Sequence, residues 1–176
     1  MSYAMREAHD DDVAYITRLF TLPHARDVFN PPNAHMVRAA QEDPNAKSFI
    51  LERNGEPAGQ FLIDDREWLF EFRVLIAEVP GRGAGRFALA WGIEHAFREC
   101  GAHRIYLEIR ESNARITHLA ESAGFRREGL FRDGFFDART GRYENLVPFG
   151  LLDANGADRA LASQRDGRAA LVRTGR

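Results

Sequence analysis

The stretch that most constrains the fold of this chain is residues 76–86, where an apolar segment runs through three alternating glycines into a second apolar segment. The residues before it, 68–76, are rich in aromatic and branched side chains, as in a strand of a packed sheet. The residues after it repeat apolar side chains at helical spacing until Gly101, which suits a helix end. A strand, a glycine turn and a helix leave backbone N–H groups free at the helix start. The sequence therefore predicts a loop that binds an anion, and a phosphate group is the expected ligand.

The size and charge of the chain narrow the class of protein. Its 176 residues fit one domain with a substantial core. The balance of 24 basic and 26 acidic side chains argues against a broad surface for nucleic acid or membrane. The single cysteine, Cys100, cannot form an internal disulfide, and the scattered histidines indicate no metal site. No apolar run is long enough to cross a bilayer, and residues 1–10 lack the apolar core of a signal peptide, so the expected location is the cytoplasm.

The order of the predicted elements indicates a mixed α/β domain around one sheet. Short strands flank Asn54-Gly55, a strong hairpin signal, and a helix is expected after the three aspartates at positions 10–12. The full order is strand, helix, helix, three strands, helix, strand, helix, strand, strand. We assign residues 1–152 to the domain. Residues 153–176 lack a sustained apolar face, and we interpret them as a C-terminal tail that is partly helical at most and open to flexibility.

The residues alone allow three interpretations of the glycine loop. A Walker A loop requires Gly-Lys-Ser/Thr, which is missing from this stretch. A dinucleotide fingerprint fits residues 83–88, and Glu108 lies near the distance of a ribose-binding acid. Against it, the loop follows a hairpin in mid-chain, and too little chain follows to complete a doubly wound sheet. A tight turn without a ligand explains any one glycine more easily than three in alternation.

Two motifs resemble the GNAT family of N-acetyltransferases. Residues 80–85, Pro-Gly-Arg-Gly-Ala-Gly, resemble its Gln/Arg-x-x-Gly-x-Gly/Ala signature, and residues 113–125 resemble its second signature, an Asn and a short helix ending in Gly-Phe. The closing aromatic segments resemble in particular the branch that includes the ribosomal-protein N-acetyltransferases. The resemblance covers residues 3–152. It implies one mixed, mostly antiparallel central sheet flanked by helices, and acetyl transfer from acetyl-CoA to a primary amine by direct attack in a ternary complex.

The resemblance also implies binding residues for acetyl-CoA. The strand before the loop would pair its backbone at Val74 and Leu75 with the pantetheine arm. Asn113 would anchor a strand end or the pantetheine, and a plain helix N-cap is an equal interpretation. The acceptor would be a protein N-terminus or a small-molecule amine, selected by residues 22–47 and 133–141. A homodimer is also compatible with the resemblance. The pyrophosphate would be held by the backbone amides of Gly81, Arg82, Gly83, Ala84, Gly85 and Arg86, with the Arg82 or Arg86 side chain assisting.

The catalytic candidates are two carboxylates. An amine must lose a proton before it attacks, so a carboxylate base is expected. Glu108 and Glu71 resemble carboxylates of the ribosomal-protein branch, and pairing of either with an arginine is the alternative interpretation.

Two departures from the family pattern affect the expected chemistry. Pro80 replaces a side-chain donor, and Ala120 replaces the Tyr that many members use as general acid. Ser112, Ser122, Tyr106 or water could substitute for that Tyr. A CoA-binding module with weak catalysis and a dinucleotide-binding oxidoreductase remain the alternatives.

Overall fold

The computed structural model describes residues 2–66 and 69–154 and shows eight strands and five α-helices in that part of the chain. The strands are β1 Tyr3–Glu7, β2 Ala46–Arg53, β3 Glu56–Arg66, β4 Leu69–Ala77, β5 Arg104–Arg110, β6 Arg126–Arg127, β7 Phe131–Asp137 and β8 Arg142–Leu152. The α-helices are α1 Val13–Leu19, α2 Pro23–Arg26, α3 Ala34–Glu42, α4 Ala84–Glu94 and α5 Ala114–Ser122.

Local sequence signals account for several element boundaries. Asn54 and Gly55 both have positive φ, which the two-residue hairpin between β2 and β3 requires. Asn33 and Asn113 accept hydrogen bonds from backbone amides and cap α3 and α5. The acidic residues Asp10–Asp12 form a short 3-10 turn that leads into α1, close to their predicted place in its first turn.

The sheet is mostly antiparallel, as the resemblance implies. Its strand order is β1-β2-β3-β4-β5-β8-β6, with β7 also paired to β8. Within the described ranges, β4 and β5 form the one parallel pair, and α4 makes the crossover between them. A doubly wound dinucleotide fold needs a mainly parallel sheet, so this topology speaks against the oxidoreductase alternative.

A separate apolar core lies on each face of the sheet. One core joins strand residues such as Phe61, Phe72 and Leu107 to Ala88 of α4 and Ala120 of α5. The other joins α1, α2 and α3 to the opposite face through Ile16, Ala25, Val37, Ile50 and Ile76. Side chains alternate along each strand, so β2 and β4 contribute to both cores, through Phe49 and Ile50 and through Phe72 and Ile76.

The sheet opens between β4 and β5. The two strands pair only at Phe70–Ile105 and Glu71–Tyr106 within the residues described. Beyond these positions β4 continues along β3 and β5 along β8. A bulge contributes to the separation, because the β3–β4 register shifts and leaves Arg73 without a ladder partner. The result is a wedge-shaped gap in the middle of the sheet.

The structure adds elements that the sequence pattern did not predict. Helix α2, strand β6 and a π-helical turn at His95–Glu99 after α4 lie outside the predicted order. The predicted tail lies, from residue 155 on, outside the described residues. None of the helices in ranges 2–66 and 69–154 has the length and apolar character needed to cross a membrane.

Candidate active site

A cavity of about 580 Å³ passes through the gap between β4 and β5. Both strands line it from both sheet faces: Leu75 and Leu107 belong to the face under α4 and α5, while Glu71 and Glu108 belong to the face under α1 to α3. Five residues of the segment 24–29, all but Arg26, and Phe135 also line it, so both segments expected to choose the acceptor reach this cavity. The cavity therefore offers one approach from each side of the sheet.

The glycine loop closes one end of the cavity. Gly81 has φ +88° and Gly83 has φ +85°, a region that L side chains adopt only with strain. Gly85 has a different reason, because a Cβ there would lie 3.3 Å from Leu119 Cδ2 where α4 meets α5. Gly83 is the N-cap of α4, and no side chain in the described residues caps this helix. The amides of the first helical turn therefore remain available to an anion.

The predicted phosphate-binding residues occupy two positions relative to the cavity. Gly81 and Gly85 line its wall together with Pro80, which offers no N–H. The other four loop residues lie outside that wall, along the turn and the first residues of α4: Arg82, Gly83, Ala84 and Arg86. The two arginine side chains are exposed and form no ion pair with any carboxylate in the described residues.

The loop is held to strand β1. The Tyr3 hydroxyl donates a hydrogen bond to the Arg82 carbonyl at 2.8 Å, and the Tyr3 ring stacks on Phe87 with centroids 5.5 Å apart. Sequence reasoning missed this tether because Tyr3 and Arg82 are far apart in the chain.

The predicted residues for the pantetheine arm lie at the gap. Val74 and Leu75 line the cavity from the part of β4 that no longer pairs with β5. Asn113 also lines it, and its Oδ1 accepts a hydrogen bond from the Ile116 amide at 3.3 Å. The N-cap interpretation of Asn113 is therefore confirmed. Its amide N–H₂ group is the part left for a ligand.

The two candidate carboxylates lie on the same face and line the same cavity. Glu71 is opposite Tyr106 in the β4–β5 register, and Glu108 follows Tyr106 by two residues. Both side chains therefore face the cleft. In the described ranges, neither carboxylate lies within 4.0 Å of an arginine, so the ion-pair alternative is wrong.

The environments of the two carboxylates differ. Burial raises the pKa of Glu71, and the negative charges of Glu108 and Asp64 add to this effect, while Arg73 opposes it. Glu108 is exposed and accepts a hydrogen bond from the Tyr106 hydroxyl at 2.5 Å. Burial and the bond to Glu108 raise the pKa of Tyr106, so this phenol stays protonated. Glu71 therefore has the character of a base, and Glu108 that of a fixed negative charge.

The three side chains suggested in place of the missing Tyr all have other partners. The Ser122 hydroxyl donates to the His118 carbonyl, and that of Ser112 donates to Glu144. The Tyr106 hydroxyl donates to Glu108. Ala120 itself is 1% exposed and lines the cavity.

A buried arginine that sequence reasoning did not single out as a site residue organises the acceptor end of the cavity. Arg110 is 5% exposed and forms ion pairs with Asp137 and Glu144. It also donates to the Asp27 carbonyl at 2.9 Å, and its guanidinium lies 4.6 Å from the centre of the Phe135 ring. Arg110 thus joins β5, β7, β8 and the segment after α2. The partner residues lie between 25 and 83 positions from Arg110 in the sequence, so no local sequence pattern predicts these contacts.

The charge of Arg110 is neutralised within this cluster. Burial alone would raise the pKa of Asp137, but hydrogen bonds from Arg110 and from the Arg139 and Thr140 amides outweigh it and lower that pKa. Hydrogen bonds from Arg110 and Ser112 lower the pKa of Glu144. Arg110, Asp137 and Glu144 together therefore carry one net negative charge.

A family model described as Acetyltransferase (GNAT) family matches residues 13–125, well over half of the chain. The chain belongs to the GNAT acetyltransferase family. Both signature segments lie within the matched range.

Relatives within the GNAT family carry a specific name. The spermidine N(1)-acetyltransferase of Vibrio cholerae is 31% identical over 91 residues, 51% of this chain and 51% of that protein. The enzyme of the same name from Escherichia coli K12 is 26% identical over 109 residues, 60% of this chain and 58% of its length. The chain thus matches about half the length of these curated relatives. The resemblance to the ribosomal-protein branch stays a prediction.

Solved structures of GNAT proteins share the fold. The spermidine N-acetyltransferase of Vibrio cholerae in complex with CoA and spermine superimposes with a TM-score of 0.76 at 21% identity, covering 88% of this chain and 98% of that one. A mutant of the same enzyme gives a TM-score of 0.75 at 21% identity, covering 90% of this chain and 98% of that chain. The open, mostly antiparallel sheet is therefore the GNAT fold.

Proposed function

We propose that this protein transfers an acetyl group from acetyl-CoA to a primary amine by direct attack in a ternary complex. The observation that carries the proposal is the cavity through the sheet, with the glycine loop at one end and the carboxylates of Glu71 and Glu108 on the opposite sheet face. A donor and an acceptor that enter from opposite faces meet in the gap between β4 and β5. Holding both reactants in one place supplies a large part of the rate acceleration in such a transfer.

The residues around the gap fit the co-substrate, which supplies the thioester. The amides at the start of α4 and the guanidinium groups of Arg82 and Arg86, which form no ion pair within residues 2–66 and 69–154, suit a pyrophosphate. The free edge of β4 at Val74 and Leu75 suits an amide-bearing arm, because its backbone groups lack strand partners on that side. The side-chain amide of Asn113 supplies a further donor.

Glu71 is the proposed base. It takes one proton from the ammonium group, and the free nitrogen then attacks the thioester carbonyl, so that an N–C bond forms and the C–S bond breaks. The second proton of that nitrogen passes, directly or through water, to the departing thiolate, which gives the amide and the CoA thiol. A backbone N–H near Val74 or Leu75 stabilises the negative charge on the carbonyl oxygen. The thiolate leaves without a side-chain acid, since a thiol pKa of about 8.5 makes it a fair leaving group near neutral pH.

We propose a polyamine as the acceptor class. The carboxylates of Asp27, Glu71 and Glu108 line the cavity, together with three arginines. Arg73 is already paired with Asp64, and Arg110 with Asp137 and Glu144; Arg115 belongs to α5, on the other sheet face from Glu71 and Glu108. A molecule with several ammonium groups is therefore favoured on the face of the two glutamates. The related spermidine N-acetyltransferases support the same acceptor class. Glu108, held in place by its hydrogen bond from Tyr106, would bind a second ammonium group of the polyamine while Glu71 takes a proton from the first.

Thiol release with a panel of amines tests the activity and the acceptor together. Spermidine should release CoA thiol with kcat/KM at least about tenfold above that for butylamine, which has one charge, and above that for a peptide with a free N-terminus. Release with none of these amines, despite acetyl-CoA binding, would favour the weakly catalytic CoA-binding module instead.

Two carboxylate variants separate the proposed roles. Glu71→Gln should lower kcat by about 10²–10⁴-fold, the usual contribution of a general base, with little change in KM. Glu108→Gln should mainly raise KM for spermidine. Glu94→Gln, an exposed change on α4 that also removes one negative charge, is the control and should leave both constants unchanged. Full turnover by Glu71→Gln would remove Glu71 as the base.

Association into a homodimer stays a prediction. Sedimentation equilibrium of the full chain tests it: a mass near 19.9 kDa would contradict the dimer.

A further inference from the structure

We propose that Asp64 is a positioning residue for the base: it accepts the hydrogen bond of the protonated Glu71 carboxyl group, so that the two side chains share the proton taken from the amine. This inference rests on the proposed role of Glu71. It concerns a buried carboxylate on the neighbouring strand.

The register of the sheet brings the two carboxylates together. Asp64 of β3 is directly opposite Glu71 of β4, and side chains of opposed residues point to the same face. Their Cβ atoms are then roughly 4.5–5.5 Å apart, which lets two carboxyl groups touch. Both strands are held here by neighbours on each side, β2 against β3 and β5 against β4.

The hydrogen bonding of Asp64 is incomplete. The residue is 5% exposed, and its Oδ1 atom is buried and accepts no hydrogen bond from the described residues. A buried carboxylate oxygen without a donor is unusual, because desolvation is then uncompensated. A proton on Glu71 supplies the missing donor.

The two members of the pair are not equivalent. Arg73 donates to Asp64 Oδ2 at 3.4 Å, and Arg66 lies 3.5 Å from the same atom. Glu71 has no ion pair within the described part of the chain. The arginines therefore leave Asp64 as the acceptor and Glu71 as the member that carries the proton. After each transfer the proton passes from Glu71 to water, which restores the base.

The pair explains how Glu71 is suited to a protonated amine. Two carboxylates side by side cannot both ionise without repulsion, so the proton-bearing state is favoured and Glu71 becomes a stronger base. The charged and titratable groups that face Glu71 are, from β3, β4 and β5, Asp64, Arg66, Arg73, Tyr106 and Glu108.

Carbon-13 NMR of the carboxyl groups tests the pair without any need for activity. In the wild-type protein, the side-chain carboxyl carbon of Asp64 should respond at the pH midpoint of Glu71, and this response should vanish in Glu71→Gln. Asp64→Asn should lower the Glu71 midpoint by about one pH unit, because a neighbouring negative charge is lost. If Asp64→Asn does not fold, the wild-type titration decides: an Asp64 signal that does not move with Glu71 overturns the proposal.

The pH dependence of kcat is the second readout. Glu71 must be ionised to accept a proton, so the rate rises with pH through its titration, and Asp64→Asn should move this acidic limb to lower pH. Asp65→Asn is the matched control: it removes the same charge one residue along β3, from a side chain that pairs with Lys47, and should leave the limb in place. An unmoved limb in an active Asp64→Asn enzyme overturns the pair and leaves the proposed function standing. If the two carboxyl groups are coupled in the NMR titration but the protein acetylates no amine, the pair stands and the proposed function is overturned.

Discussion

The conformation of Gly83 gives a prediction that links loop geometry to co-substrate binding. Gly83 has φ +85° and ψ −6°, and a Cβ built there meets no atom within 4 Å. Gly83→Ala therefore adds no clash, and its cost is the left-handed backbone alone, roughly 1–2 kcal/mol. Alanine also restricts the unfolded chain more than glycine does, and this offsets about 0.4–1 kcal/mol of that cost. We expect a net loss of about 1 kcal/mol, or about 2–4 °C in Tm for a domain of this size.

The same strain should appear in binding. Where the free loop relaxes part of the way out of the left-handed conformation, acetyl-CoA has to restore it. The cost of about 1 kcal/mol is then divided between stability and binding, and Kd weakens by at most about fivefold. Urea unfolding measures the stability, and isothermal titration calorimetry measures the affinity for CoA.

Two other glycines serve as controls for this prediction. Gly101 has φ +67° and also has no atom within 4 Å of a Cβ, but it follows the turn His95–Glu99, at the far end of the α4 segment from the glycine loop. Gly101→Ala should therefore lose similar stability with unchanged Kd. Gly85→Ala should be neutral or stabilising, since alanine is favoured in a helix by about 1 kcal/mol and the Leu119 methyl group at 3.3 Å can rotate away. Wild-type stability of Gly83→Ala, or equal effects on Kd from Gly83→Ala and Gly101→Ala, would refute the reasoning.

Three further substitutions test contacts around the site. Arg110→Met removes the ion pairs of the buried Asp137 and the partly buried Glu144, which keep their hydrogen bonds from Arg139, Thr140 and Ser112, and should cost about 3 kcal/mol in urea unfolding. A loss below 1 kcal/mol would contradict the role of Arg110 in joining these segments. Tyr3→Phe removes the 2.8 Å bond to the Arg82 carbonyl and should weaken CoA binding by about two- to tenfold in calorimetry. The hydrogen bond from Arg6 lowers the pKa of Asp12, so this pair stabilises the fold above the ordinary pKa of about 3.9, and the contribution is lost as the pH falls through the lower folded value. Asp12→Asn should therefore show a flatter loss of stability in urea melts between about pH 5 and 2.

Much of the architecture could be predicted from the sequence because its signals are local. The Asn54-Gly55 hairpin, the glycine turn before α4 and the Asn113 cap each depend on residues within a few positions of one another. Backbone conformation responds to such neighbours directly, through sterics and capping hydrogen bonds. The two family signatures are local for the same reason.

The missed features depend on contacts across the sheet. The short strand β6 contains only Arg126 and Arg127, and it exists because its partner β8 offers an edge. Arg110 gave no local signal, since its partners come from three distant segments. Asp64 gave none either, because its significance depends on the strand register that sets it against Glu71.

The sequence by itself determined the fold family, the position of the anion-binding loop and the two carboxylates worth testing. Only the tertiary structure decided that β4 and β5 separate after Glu71, that both carboxylates face the gap, and that Glu71 is the more buried of the two. Loop conformation and periodicity are set by neighbours along the chain. Burial, strand register and the pKa of a side chain are set by residues that meet only after folding.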